Sequence, residues 1–217
     1  MVTFGDGGDV HFEGLCLNRA AVPVAPLAQA VVAFDGEAAR LELPFNSAHM
    51  LRNTLAAYAA ARLAGCRPEG PVDVTLSALR GERVRLPGDA LLVNDCYNAN
   101  PLSMRAALDD LAVQDPAGRR IAVLGDMLEL GPDESPLPRE IGAHAGRSGV
   151  DVLVTVGPLA AAMADCFPGE AHAVAHAAEA AALAAELVGP GDLVLVKASR
   201  GVGLEIVAEA LLTRAGA

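Results

Sequence analysis

The stretch "VNDCYNANPLSM", Val93 to Met104, holds a strand ending, a polar corner and a helix start. Its apolar run stops at Asn94. Asp95, Tyr97, Asn98 and Asn100 follow, and Pro101 opens a helix. Asn followed by Pro makes a good N-cap and first-turn pair, so Asn100 already has a structural reason to be there. Asp95 and Asn98 exceed what a cap requires and become candidates for binding.

The same rhythm continues on the C-terminal side. Short apolar runs "ALLVN", "IAVLG", "VLVTVG", "AVAH" and "LVLVK" alternate with helical segments. Met104, Leu108 and Leu111 mark the apolar stripe of the first helix, and Leu204, Val207 and Leu211 that of the last. Strands alternating with helices predict βαβ units, hence an α/β fold with a doubly wound, mainly parallel sheet carrying helices on both faces. Near-continuous apolarity fits strands buried on both faces.

The N-terminal part reads differently. "AVVAF" and "ARLEL" flank Asp35-Gly36, a strong hairpin signal, and "DVHFEGLCL" supplies another strand. A helix follows in "NSAHMLRNTLAAYAAARLAG", capped by Asn46 or Ser47, striped by Leu51, Leu55 and Tyr58, and stopped at Gly65. A second, short helix is expected around "VTLSAL". The pattern changes near residue 84, which divides the chain into a β-rich 1–84 and an α/β 85–217.

Composition excludes several classes. The chain has 217 residues and a net charge of −11, against a phosphate-tracking nucleic-acid binder. Its four cysteines are scattered without a C-x-x-C pair, so neither a zinc site nor a disulfide framework is expected. No apolar stretch reaches the length of a membrane span. A soluble cytoplasmic protein is the expectation. Lys197 is the single lysine beside fifteen arginines, and the residue immediately before it is Val196 and not glycine, so a G-x-x-x-x-G-K-[ST] phosphate loop is excluded from these residues.

In open α/β sheets ligands sit at the carboxyl ends of the strands. Three polar clusters fall there: Asp95 to Asn98, Gly125-Asp126-Met127, and Lys197-Ala198-Ser199-Arg200. Asp126 and Glu129 also read as solvent-facing loop carboxylates, Ser199 as a cap, and Arg200 as a surface charge. Lys197 ends a buried strand, where an unpaired charge is costly. His49 and Asn53 stand four apart on one helix face, which on spacing alone reads as a solvated face.

These motifs resemble those of the MurF-type Mur ligases. "NDCYNANPLSM", "VLGDMLELG" and "LVKASRGVGLEIV" resemble the three signatures of the family's C-terminal domain, and "HMLRN" resembles the H-N-x-x-N helix of its central domain. The resemblance implies a β-rich remnant of the central ATPase domain followed by the C-terminal Rossmann-like domain. It implies ATP-dependent addition of D-Ala-D-Ala to UDP-N-acetylmuramoyl-tripeptide through an acyl phosphate, with Mg2+, in peptidoglycan synthesis.

Carried over residue by residue, the resemblance implies that His49 and Asn53 lie at the adenine and Arg80 near the nucleotide. It sets Asp95 near the ribose, and Tyr97, Asn98 and Asn100 between nucleotide and amine. Asp126, Met127 and Glu129 match the second signature, and Lys197, Ser199 and Arg200 the third, near acceptor and D-Ala-D-Ala. Met50 replaces the first asparagine of H-N-x-x-N, and Ala198 the glycine of K-G-S-R. The family's UDP-sugar domain, phosphate loop, magnesium ligands and modified lysine have no match here, so no catalytic or metal-ligating residue is assigned. The chain alone is expected not to ligate. Two alternatives stand beside this reading. One is another amide ligase of the superfamily, related to folylpolyglutamate or cyanophycin synthetases. The other is a non-catalytic binding module on the same scaffold.

Overall fold

The computed structural model describes residues 1–18, 27–45, 48–74, 79–131 and 136–214. The chain forms two compact units, Met1–Thr75 and Leu76–Ala217. The division comes before the change expected near residue 84. The reason is a strand not anticipated from the sequence, Glu82–Arg85, which pairs antiparallel with the "LLVN" strand and so belongs to the second unit.

In the first unit, β1 (Val10–Leu17), β2 (Ala28–Phe34), β3 (Glu37–Leu43) and β4 (Gly70–Pro71) form a sheet in that order. β2 and β3 are the expected hairpin. Asp35 and Gly36 both take positive φ, 54° and 73°, as a two-residue type I′ turn requires. Helix α1 (Ala48–Leu63) contributes Leu51, Leu55 and Tyr58 to a core with Val10, Val32, Leu41 and Leu43. Gly65, at φ 83°, ends it in a Schellman turn: the Gly65 amide bonds the Arg62 carbonyl and the Cys66 amide that of Ala61. The proposed caps Asn46 and Ser47 and most of the expected "VTLSAL" helix lie outside the described residues.

The second unit is built on a six-stranded sheet. Its strands are β5 (Glu82–Arg85), β6 (Leu91–Asn94), β7 (Arg120–Gly125), β8 (Val152–Val156), β9 (Glu170–Val174) and β10 (Leu193–Lys197), ordered β5-β6-β10-β7-β8-β9. All neighbours run parallel except β5 and β6. Helices α2 (Pro101–Ala112), α3 (Leu137–Arg147) and the single turn α4 (Ala161–Ala164) cover one face. Their Met104, Leu108, Leu111, Ile141 and Met163 pack with Val93, Leu124, Leu153 and Leu195. Helices α5 (Ala177–Leu187) and α6 (Glu205–Arg214) cover the other, where Ala180, Ala184, Val207 and Leu211 meet Ile121, Val123, Val154 and Val194. Successive strand residues feed opposite cores, as the period of two demands.

The "AVAH" strand is corrected. β9 begins earlier, at Glu170, and His176 precedes α5. Pairing with β8 sets the register, Val152 opposite Glu170 and Val156 opposite Val174. As an edge strand β9 is partly exposed, and its polar first half carries no apolar signal.

Gly142 of α3 offers a test of this packing. A Cβ there would stand 1.9 Å from the Met163 carbonyl oxygen. Alanine ordinarily gains about 1 kcal/mol over glycine inside a helix. Gly142→Ala is nonetheless expected to lose about 1–3 kcal/mol, because α3 must move off α4. Urea denaturation reads the sign; a stabilised variant would show that α4 is free to yield.

Candidate functional site

The topology selects one place on the second unit. The helices following β6 and β7 lie on one face of the sheet, whereas α6, following β10, lies on the other. β10 sits between β6 and β7. The crevice of a doubly wound sheet opens where such connections diverge, outside the strands' carboxyl ends. The three polar clusters stand there.

Lys197 leaves β10 with its side chain only 2% exposed. Its ammonium donates to Asp95 Oδ2 at 2.7 Å and to the Asn98 carbonyl at 2.9 Å. Asp95 is thereby occupied on both oxygens, since Oδ1 accepts from the Gly81 amide at 3.1 Å. Ser199 is also buried. Its hydroxyl donates to the Ala99 carbonyl at 3.2 Å and accepts from the Leu128 amide at 2.9 Å, while its own amide bonds the Asp126 carbonyl at 3.0 Å. Asn100 acts as the helix cap. Its side chain accepts from the Ser103 amide at 2.8 Å, and Ser103 Oγ accepts from the Asn100 amide in return.

What faces outward is a different set. The guanidinium of Arg80 stacks over the Tyr97 ring at 3.9 Å from its centroid, and that of Arg200 lies 5.5 Å from the same centroid. Arg80, Arg200 and Asn98 are exposed, and Tyr97 is half-buried. Among the described residues neither guanidinium pairs with a carboxylate, although most of the other arginines do. Two unneutralised cations against one aromatic ring, on a chain of net charge −11, form a local anion-attracting spot. Arg80 is held in place from both sides: the Leu79 carbonyl accepts from the Tyr97 amide, and Gly81 bonds Asp95. Leu79 takes a φ of 68°, a strained conformation of the kind found at functional loops.

The second cluster splits. Asp126 is buried, and its Oδ1 accepts from the Ala160 amide at 2.6 Å. It fills the space left by Gly157, at φ 103°, where a Cβ would stand 2.5 Å from Oδ2. Burial pushes its carboxyl above the ordinary aspartate value, against the lowering pull of the Ala160 and Leu159 amides. Met127 is 1% exposed and belongs to the core beneath α2 and α3. Glu129 is exposed in the left-handed region, φ 64°. Beside the corner, the Cys96 thiol donates to Asn94 Oδ1, and burial pushes it up to about 12, so it offers no thiolate.

Ala198 is fully buried, and its Cβ occupies a gap over Gly125: a Cβ added to Gly125 would meet it at 2.7 Å. Ala198 is the residue that stands where the family pattern K-G-S-R carries glycine. The missing side chain of Gly125 accommodates it. The supporting amides of Gly81 and Leu128 and the glycine at 157 were not anticipated. The Gly157-Pro158 pair after a strand was their one visible signal. His49 and Asn53 belong to the first unit; both lie in α1, and Asn53 is exposed. Met50 packs against that unit's core, a physical role for the methionine where the H-N-x-x-N pattern carries asparagine.

The model of the "Mur ligase, glutamate ligase domain" family matches residues 79–200, more than half of the chain. The chain belongs to the Mur ligase family. The match runs from Leu79 to Arg200 and so contains every residue of the three corners. The UDP-N-acetylmuramoyl-tripeptide–D-alanyl-D-alanine ligase of Bacillus subtilis is 34% identical over 179 residues, covering 78% of this chain and 39% of the relative. A crystal structure of MurF from Acinetobacter baumannii superposes with a TM-score of 0.81 at 26% identity, over 98% of this chain and 46% of that one. MurF from Thermotoga maritima, in complex with ADP, gives 0.77 at 23% identity, over 99% and 49%. This Mur ligase chain therefore spans less than half the length of these three relatives.

Two tests follow for this Mur ligase corner. Gly125→Ala is expected to cost about 1–3 kcal/mol through overlap with Ala198, Val202 and Leu204. Adding Ala198→Gly removes the shortest overlap and should recover most of the loss in a double-mutant cycle; additive effects would refute the contact. The second test concerns Asp126. Its raised value means that the folded chain holds this proton more tightly than the unfolded chain. Its contribution is most favourable below the ordinary aspartate value and is lost as pH rises through the folded one. Asp126→Asn keeps an acceptor for Ala160 and cannot ionise. Its stability relative to wild type should therefore rise with pH across that window, read as urea midpoints at stepped pH. Parallel curves would contradict the assignment.

Proposed function

We propose that this chain is the nucleotide-closing and amine-side part of an ATP-dependent amide ligase that adds D-Ala-D-Ala to UDP-N-acetylmuramoyl-tripeptide in peptidoglycan synthesis. The observation that carries the reading is the Arg80–Tyr97–Arg200 stack at the switch point of a Mur ligase domain. The curated relatives that bear this enzyme's name support the substrate pair. ATP would transfer its γ-phosphoryl group to a carboxylate and leave as ADP; the amine would then attack the acyl carbon, forming the amide and expelling inorganic phosphate.

The residues present fit part of that task. A half-buried aromatic ring flanked by two guanidiniums that pair with no carboxylate suits a nucleotide, whose base or ribose would pack at the ring or its stacked guanidinium while its phosphates draw the cations. Arg80, Tyr97, Asn98 and Arg200 would meet the nucleotide or the amine substrate. Among the described residues no three His, Cys, Asp or Glu side chains gather as a metal site. Among the described residues no helix is long and apolar enough to cross a membrane. The first unit, with His49 and Asn53, is proposed as the end of the family's central domain.

A chimera tests the reading. Residues 79–214 would replace the matching segment of the Bacillus subtilis ligase, and phosphate release would be followed with D-Ala-D-Ala or glutamate as the amine. Release dependent on D-Ala-D-Ala is expected. Preference for glutamate would favour the folylpolyglutamate-like alternative, and a folded chimera with no turnover would favour a binding module. In the active chimera, Arg80→Ala or Tyr97→Ala is expected to lower kcat/KM for ATP about tenfold, the size of one stacking or cation–π contact. An unchanged kcat/KM would remove the stack from the site.

A further inference from the structure

Lys197 and Ser199 belong to the segment that the resemblance sets near the acceptor and D-Ala-D-Ala, yet both side chains point into the protein. Lys197 is 2% exposed and binds Asp95 and the Asn98 carbonyl. Ser199 is 4% exposed, and its hydroxyl is used once as donor, to Ala99, and once as acceptor, from Leu128. Lys197 and Ser199 thus seize the carbonyls of consecutive residues, Asn98 and Ala99. These two grips fix the chain between the outward Tyr97 and the helix start at Pro101.

The clamp reaches further. Through Asp95, Lys197 holds the Gly81 amide, next to Arg80. Through Leu128 and Asp126, Ser199 holds the corner after β7. The three strand ends and the Arg80 turn are therefore one hydrogen-bonded body. Arg200, the next residue, is the only side chain of Lys197-Ala198-Ser199-Arg200 that is exposed, since Ala198 is buried against Gly125.

We infer that Lys197 and Ser199 are positioning residues: they hold the rim that presents Arg80, Tyr97, Asn98 and Arg200, and no ligand touches them. The identity of what binds that rim rests on the reading under Proposed function; the clamp itself does not.

Lys197 is the only lysine of the chain, so amine chemistry reports on it without ambiguity. Reductive methylation of the native chain, followed by peptide mass spectrometry, is expected to modify Lys197 at least a hundredfold more slowly than in urea. The α-amine should react alike in both states. Equal rates at Lys197 would overturn the clamp.

NMR supplies the readout that burial alone does not give. In Lys197→Met and in Ser199→Ala the ring-current shift of the Arg80 side chain over Tyr97 should move towards its value in urea. In Ser199→Ala the Leu128 amide should also exchange at least tenfold faster. Ala184→Gly, in α5, serves as the control: it lowers overall stability and should leave the Arg80 shift unchanged. An unchanged Arg80 shift in a folded Ser199→Ala chain would sink the proposal even if Lys197→Met does not fold. ADP titration of the same samples separates the two ideas. If wild type binds ADP, Ser199→Ala should weaken it about tenfold, and equal affinity would overturn the positioning role. If wild type shows no ADP binding, the nucleotide reading loses its support while the Arg80 shift still decides the clamp.

Discussion

An ammonium group at the end of a fully buried strand has to be neutralised where it stands. Lys197 sits beneath the corner that starts α2, and Asp95 meets it at 2.7 Å. Removing one partner of such a pair leaves a charge that the interior cannot solvate, at a cost of about 3–5 kcal/mol. That cost ties β10 to β6 at their carboxyl ends. Ser199 adds the tie to β7 through the Leu128 amide. The polar corner is therefore rigid because it is polar: each side chain turned inward satisfies a backbone group that the turn would otherwise leave unpaired.

This arrangement separates two jobs that a motif does not distinguish. In Asp95 to Asn100, Asp95 and Asn100 work on the protein itself, as counter-ion and cap, while Tyr97 and Asn98 face out. In Lys197 to Arg200 only the arginine faces out. In Asp126 to Glu129 the aspartate grips the Ala160 amide, Met127 fills the core, and Glu129 reaches solvent. At each corner at least half of these polar side chains hold the corner's own shape.

The fold was legible because its signals are redundant. β6, β7, β8 and β10 are apolar on both faces, and α2 carries Met104, Leu108 and Leu111 at helical spacing, so period and composition agree. β5 escaped notice because Glu82–Arg85 is short and charged, and its strand character comes from pairing with β6. β9 slid because an edge strand need not be apolar. At the site, the corners themselves could be read from surplus polar residues at strand ends. Which way each side chain points could not, since Lys197 and Arg200 are equally cationic in the sequence. Direction is fixed by partners far along the chain, Asp95 for Lys197 and Tyr97 for Arg200.

The aromatic residues are distributed in a way that has a practical result. The chain has no tryptophan and two tyrosines. Tyr58 lies in the core of the first unit, with its hydroxyl bonded by Arg62, and Tyr97 lies at the rim of the second under Arg80. Each compact unit thus contains a single phenolic chromophore, in a different dielectric and beside a different cation. Replacing either one by phenylalanine leaves a protein whose tyrosine emission comes from one unit alone. The melting of the two halves becomes optically separable without any added dye.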